Sequence, residues 1–197
     1  LMNFKYRPDI DGLRAIAVIS VVIYHAGFKI ILNDKEFDLL PGGYLGVDIF
    51  YVISGYLITF LILENIKNNT FSFLNFYERR ARRLFPALFV VIFSSLIAGY
   101  FFMLPEQFKN LSSSGLSSLL FVSNFWFHLA DNYFTDASSL KPLLHTWSLS
   151  VEEQYYLIFP PVLYLLHKKK KRIFFFLITL ICFSLIFSQI GSNYFKD

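Results

Sequence analysis

Five stretches of this chain are apolar for long enough to cross a lipid bilayer, and that property excludes most folds otherwise open to it. A helix rises about 1.5 Å per residue, so about twenty residues cover the roughly 30 Å hydrocarbon core while satisfying their own backbone hydrogen bonds. The runs are residues 13–32, 44–63, 84–104, 145–166 and 173–190. The first is too long for the apolar part of a secretory signal and is followed by Asn33-Asp34-Lys35-Glu36, so it is expected to stay as an anchor. Pro86 suits the first turn of the third. With 55% apolar and 20% aromatic side chains against 16% charged, neither a water-soluble globule nor a disordered chain fits. The one cysteine, Cys182, lies in an apolar run and reads as a small hydrophobe. The expected fold class is therefore all-α, a polytopic transmembrane helical bundle.

Residues 115–130 form a sixth, shorter run that carries Asn124 and His128. Basic residues decide whether it crosses, because Lys and Arg collect on the cytoplasmic side of a membrane protein. They cluster at Lys5, Arg7 and Arg14; at Lys67, Arg79, Arg80, Arg82 and Arg83; and at Lys168 to Arg172. If 115–130 does not cross, 13 of the 18 share one face; if it crosses, the division is ten against eight. Five spans are therefore expected, with a cytoplasmic N-terminus and 115–130 re-entrant or interfacial, its backbone shielded from lipid. The same placement reads the basic excess as a topology signal, with membrane lipids as partner and no nucleic acid.

An ionisable side chain in a spanning helix costs roughly 2.5 to 3.5 kcal/mol at the centre, so each needs a partner or a purpose. Arg14 and His25, eleven positions apart, fall within about 20° of one helix face and about 16 Å apart along its axis. Counting from the ends of the runs puts His25, Asp48 and Glu152 all roughly 18 to 24 Å above the cytoplasmic edge. Glu152 belongs to a stripe with His145, Ser148 and Tyr156, while Glu153 points about 100° away and reads as a helix contact. A buried structural pair is one reading of His25 with Asp48 or Glu152; a reaction centre is the other. His128 and His145 read as hydrogen-bonded loop histidines, and no spacing of His, Cys, Asp and Glu resembles a metal site.

The segment Glu78-Arg79-Arg80-Ala81-Arg82-Arg83 also has two readings: a topology determinant against anionic headgroups, or an anion site. Arg80 and Arg83 share a helix face, where two guanidinium forks can hold phosphate oxygens. The lysine-rich 168–172 run looks instead like a headgroup clamp, and Tyr44, Trp126 and Tyr164 like a lipid belt.

Four motifs, in order, carry a resemblance. Tyr6-Arg7-Pro8-Asp9-Ile10-Asp11-Gly12-Leu13-Arg14-Ala15 with His25 closing an Arg-x10-His pattern, the run from Gly42 to Ile58 containing Gly46-Val47-Asp48, the run from Phe76 to Pro86 with its Arg-x-x-Arg loop, and Pro142 to Leu157 together resemble the acyltransferase-3 family of membrane O-acyltransferases. The resemblance implies an enzyme that takes an acyl group, usually acetyl, from cytoplasmic acetyl-CoA to a hydroxyl of an envelope glycan such as lipopolysaccharide O-antigen or peptidoglycan. Acetyl-CoA would be a co-substrate, with no permanently bound cofactor and no metal. Such domains have about ten spans, so these residues correspond to an N-terminal half in the inner (plasma) membrane. The branch resembled often adds an extracytoplasmic SGNH hydrolase-like domain. On this reading Arg14, Arg79, Arg80, Arg82 and Arg83 hold acyl-CoA. His25 then acts as general base or acyl carrier, with Asp48 or Glu152 setting its tautomer. The rival readings are a transport or channel component whose polar pathway is lined by Arg14, His25, Asp48 and Glu152, and a structural anchor.

Overall fold

The computed structural model describes residues 7–32, 35–130, 141–168 and 173–194. Among them are seven α-helices and one two-stranded hairpin: α1 (Pro8–Ala26), β1 (Lys29–Leu32), β2 (Lys35–Asp38), α2 (Gly46–Lys67), α3 (Phe73–Phe102), α4 (Pro105–Leu119), α5 (Ser123–Ala130), α6 (Thr146–Lys168) and α7 (Ile173–Tyr194). The helical class expected from the apolar runs is therefore the fold. Three stretches are long and apolar enough to cross a membrane among the described residues: Gly43–Lys67, Phe73–Phe102 and Ile173–Gly191.

The helices corresponding to the first and fourth runs do not meet that measure, for physical reasons. Helix α1 opens with Pro8 at its first position and carries Asp9, Asp11 and Arg14. It stops at Ala26, where Gly27 takes the left-handed conformation (φ 62°). The expected span 13–32 is thus corrected at its outer end: residues 29–32 are a strand, paired antiparallel from Lys29 opposite Asp38 to Leu32 opposite Lys35. The β-branched Ile30 and Ile31 suit that strand better than another helical turn. Helix α6 is long enough, but Glu152, Glu153 and Gln154 dilute its apolar surface, so it crosses only if those groups are paired inside the protein.

The third run begins eleven residues earlier than its hydropathy suggests. Ser72 caps α3 by accepting from the backbone N–H of Asn75 (3.4 Å), and the helix continues through the arginine cluster. The cluster is therefore helical rather than a loop. Pro86 sits inside α3, not in its first turn; its ring removes the N–H that the Arg82 carbonyl would have accepted.

Segment 115–130 is two helices with a break at residues 120–122, where Phe121 has φ 54°. A polar seam fastens them to α6. Ser118 and Thr146 share a 2.7 Å hydrogen bond, Thr146 donates to Ser123 (3.1 Å), and Ser123 and Ser150 share another of 2.7 Å. Gln154 donates to the Phe121 carbonyl (2.7 Å) and to Asn124 Oδ1 (2.9 Å). The three serines are almost completely buried, so the backbone at the break is satisfied by protein, as small polar residues do between helices in lipid.

Two apolar clusters complete the packing. Ile58 and Ile62 of α2 meet Tyr156, Phe159 and Leu163 of α6 at one end; Leu88 and Ile92 of α3 meet Leu111 and Leu143 at the other. Helices α1 and α2 approach through glycines. A Cβ on Gly43 would fall on the Ser20 carbonyl oxygen, and one on Gly46 on that of Ala17. This contact sets the register, with the start of α2 level with the middle of α1.

Gly46→Ala should lower the thermal unfolding midpoint of the detergent-solubilised protein, by an overpacking cost of about 1–3 kcal/mol. Gly12→Ala, on α1 with nothing within 4 Å of its added methyl group, should leave the midpoint unchanged or raised. Equal midpoints for the two variants would contradict a close α1–α2 contact at Gly46.

Candidate active site

Helices α1, α2, α3 and α6 enclose a cavity of about 440 Å³. Its polar lining comes from all four: Arg14 of α1, Tyr51 and Ser54 of α2, Arg80 and Arg83 of α3, and Ser148, Glu152, Glu153 and Tyr156 of α6. Alanine, valine and leucine side chains, Phe50 and the backbone at Gly46 make up the remaining walls, so the charges face one another across a largely apolar space.

Arg80 is the fixed point of this lining. Its Nε donates to both carboxylate oxygens of Glu153 (2.9 and 3.1 Å), its Nη2 pairs with Glu153 Oε1 at 2.8 Å, and Glu152 Oε1 lies 3.8 Å away. The guanidinium carbon sits 3.2 Å from the centre of the Tyr156 ring, and the Tyr156 hydroxyl donates to Glu152 Oε1 (2.5 Å). Three kinds of contact thus converge on one side chain: fork to carboxylate, cation to ring, and a hydroxyl that ties the second carboxylate in place. Tyr51 adds a strut from α2, donating to the Ser148 carbonyl (2.9 Å).

The other two cavity arginines are uncommitted. Arg83 makes no ion pair among the described residues, and Arg14 has its Nε buried without a hydrogen-bond partner while its Cζ lies 5.7 Å from the Phe50 ring centre. Three guanidinium groups against two carboxylates give the lining a net charge of +1: Arg14 and Arg83, neither of them ion-paired among the described residues, contribute +2, and the cluster of Arg80, Glu152 and Glu153 contributes −1. A concave site with free guanidinium donors suits a phosphate or carboxylate ligand.

Of the arginines considered for acyl-CoA, the structure brings Arg14, Arg80 and Arg83 together and leaves two outside. Arg79 donates to the Asn75 carbonyl of its own helix (3.0 Å), and Arg82 pairs with Glu78 one turn away (2.6 Å); both are exposed. Glu153, read from its angle as a helix contact, is that contact and lines the cavity as well, because the arginine fork is long enough to reach it from α3.

His25 lies above the cavity, one turn beyond the lining residue Val21. Its Nδ1 is 2.9 Å from the Val21 carbonyl oxygen, and since a carbonyl only accepts, Nδ1 carries the proton and Nε2 keeps its lone pair free. Neither Asp48 nor Glu152 sets this tautomer, which corrects that expectation: the α1 backbone does. The shared depth of the three groups is corrected too. It assumed helices starting at one edge, whereas Gly46 at the start of α2 is level with Ala17 and α2 runs downward from there, which leaves Asp48 about 15 Å below His25 along the axis and exposed in the first turn of α2. The ring next to His25 is that of His145, with centroids 4.4 Å apart and planes at 79°. His145 belongs to the same Pro142–Leu157 motif as Glu152, which was the signal available in the sequence.

Removing one partner of a buried ion pair leaves the other charged and desolvated, at about 3–5 kcal/mol. Arg80→Gln and Glu153→Gln should each lower the unfolding midpoint of the detergent-solubilised protein by that order, and Arg83→Gln should leave it near the parent value. Equal destabilisation at Arg80 and Arg83 would contradict the distinction between a paired and a free arginine.

Comparison with known proteins identifies the family. The family model described as "Acyltransferase domain" (Acyl_transf_3) matches residues 7–196. The peptidoglycan O-acetyltransferase OatA of Listeria monocytogenes is 44% identical over 153 residues, 77% of this chain and 23% of that protein. The O-acetyltransferase OatA of Staphylococcus aureus is 39% identical over 152 residues, 77% of this chain and 24% of that protein. The chain thus spans about a quarter of the length of these relatives. No solved structure matches it. A match over nearly the whole chain, carried by a bundle of membrane helices around a charged cavity, makes it a member of the acyltransferase-3 family.

Proposed function

We propose that the protein carrying this chain is a membrane-embedded O-acetyltransferase that moves acetyl from cytoplasmic acetyl-CoA to a hydroxyl of an envelope polysaccharide, with peptidoglycan the favoured acceptor. The observation that carries the reading is the pair of uncommitted cations, Arg14 and Arg83, facing one cavity whose two carboxylates are both engaged by Arg80. They take the phosphates of the donor. Arg80 acts on the same ligand indirectly, by holding α3 against α6. Donor entry from the cytoplasm follows from the basic residues flanking the helices, which put the N-terminus inside the cell. The names of the relatives supply the acetyl group and favour peptidoglycan over lipopolysaccharide.

From the Arg14 level the thioester arm runs up α1 past Val18 and Val21 toward His25, about 16 Å along the axis. The free Nε2 of His25 is then the reacting atom, either taking the acceptor's proton or accepting the acetyl group at the thioester carbon as the C–S bond breaks. The exposed ends of α1 and α6 leave this atom open to an acceptor approaching from the other face of the membrane.

The test is transfer of radiolabelled acetyl from acetyl-CoA to envelope glycan by membranes containing the complete protein. His25→Ala and His25→Gln should insert normally and lose about 10²- to 10⁴-fold in rate, since glutamine keeps a hydrogen bond but moves no proton. Residual activity within tenfold of the parent would return His25 to a structural role, and a parent that transfers no label would favour transport instead.

A further inference from the structure

We propose that His145 is a second catalytic imidazole, the base that deprotonates the acceptor hydroxyl while His25 carries the acetyl group; this assignment rests on the acetyl-transfer reading above. The geometry that points to it is the edge-on contact of the two rings at 4.4 Å, at the exposed end of α1 and just before α6. Both rings are solvent-accessible, so their contact buries too little surface to be a core interaction.

Each ring is also held from behind. Helix α1 fixes His25 through the Val21 carbonyl. On the other side, Leu143 is fully buried against α3 and α4, Thr146 is tied to Ser118 and Ser123, and the His145 carbonyl accepts from Ser148 (3.0 Å). The backbone on both sides of His145 is thus anchored while its side chain projects toward His25.

Chemistry then separates the roles. His25 has one free nitrogen, Nε2, because Nδ1–H is committed to Val21. When Nε2 attacks the thioester carbonyl carbon, the C–S bond breaks, coenzyme A leaves as the thiolate, and the acyl-imidazolium left behind has no lone pair with which to act as a base. A second group must accept the hydroxyl proton in the next step. Among the described residues Tyr24 packs edge-on against His25 and Tyr44 against Tyr24, and neutral phenols are poor bases. The His145 imidazole is the suitable base in contact. The acceptor oxygen bonds to the acyl carbon, its proton passes to a His145 nitrogen, the C–N bond breaks with its electrons returning to His25 Nε2, and His145 releases the proton to water.

The experiment uses membranes with the complete protein, radiolabelled acetyl-CoA, and His145→Phe, which keeps a ring beside His25 but supplies no nitrogen. The expected result is that His145→Phe still becomes labelled on the protein, while transfer to glycan falls about 10²- to 10⁴-fold. Added imidazole should partly restore transfer in His145→Ala. Transfer by His145→Phe within tenfold of the parent means that ring packing is enough and overturns the assignment. A variant that neither retains acetyl-CoA nor becomes labelled reports a structural role and overturns it as well. A parent with no transfer at all overturns the acetyl-transfer reading and this proposal with it, whereas the first two outcomes leave that reading standing.

Discussion

The arrangement of this bundle depends on how one charge is kept in an apolar surrounding. Arg80 has about a quarter of its side chain exposed, and its partner Glu153 only 11%. Moving such ions from water into a low-dielectric interior costs several kcal/mol each unless they are well paired. Here the cost is offset on every side of the guanidinium, by the Glu153 fork, the Tyr156 ring and the more distant Glu152. Because Arg80 comes from α3 and the acidic and aromatic partners from α6, satisfying the charge also fixes the distance and rotation between the two helices. The cavity, with its two free arginines, is the space this clamp holds open between α3, α6 and the α1–α2 pair.

The same logic recurs in neutral form where α4 and α5 meet α6. A break in a helix exposes backbone groups that lipid cannot satisfy, and Gln154 supplies the donor for the Phe121 carbonyl at the break. The buried hydroxyls of Ser118, Thr146, Ser123 and Ser150 bond to one another across the helices. Helix α6 therefore carries two polar faces, one toward the cavity and one toward the seam, which explains why its sequence is so much less apolar than that of α7. It also fixes His145 at a defined place next to His25.

Much of this was legible in the residues. The apolar runs give the helical class, and the three-residue spacing of Arg80 and Arg83 puts both on the cavity face of α3. Glu152 follows its helical stripe into the same cavity with Tyr156. What was not legible depended on relations between helices. Hydropathy ends the third run at the arginines because charge looks like a boundary, yet a capped helix runs through them since Arg80 finds its partners on α6. Glycine contacts, invisible to hydropathy, shift α2 against α1 and separate Asp48 from His25. The tautomer of His25 comes from its own helix backbone, and its ring neighbour comes from a histidine 120 residues away that reads in isolation as a loop residue.

The central physical claim is that a helix carrying two carboxylates and a glutamine crosses the membrane because those groups are paired inside the protein. Side-specific labelling of single cysteines, in a Cys182→Ser background, tests it most directly, because α6 lies between positions 136 and 170. An impermeant thiol reagent added outside the cell should label cysteines introduced at positions 110 and 136 and leave position 170 unlabelled until the membrane is opened. Labelling of 136 and 170 from the same face would mean that α6 does not cross, and the paired-charge account of this bundle would be wrong.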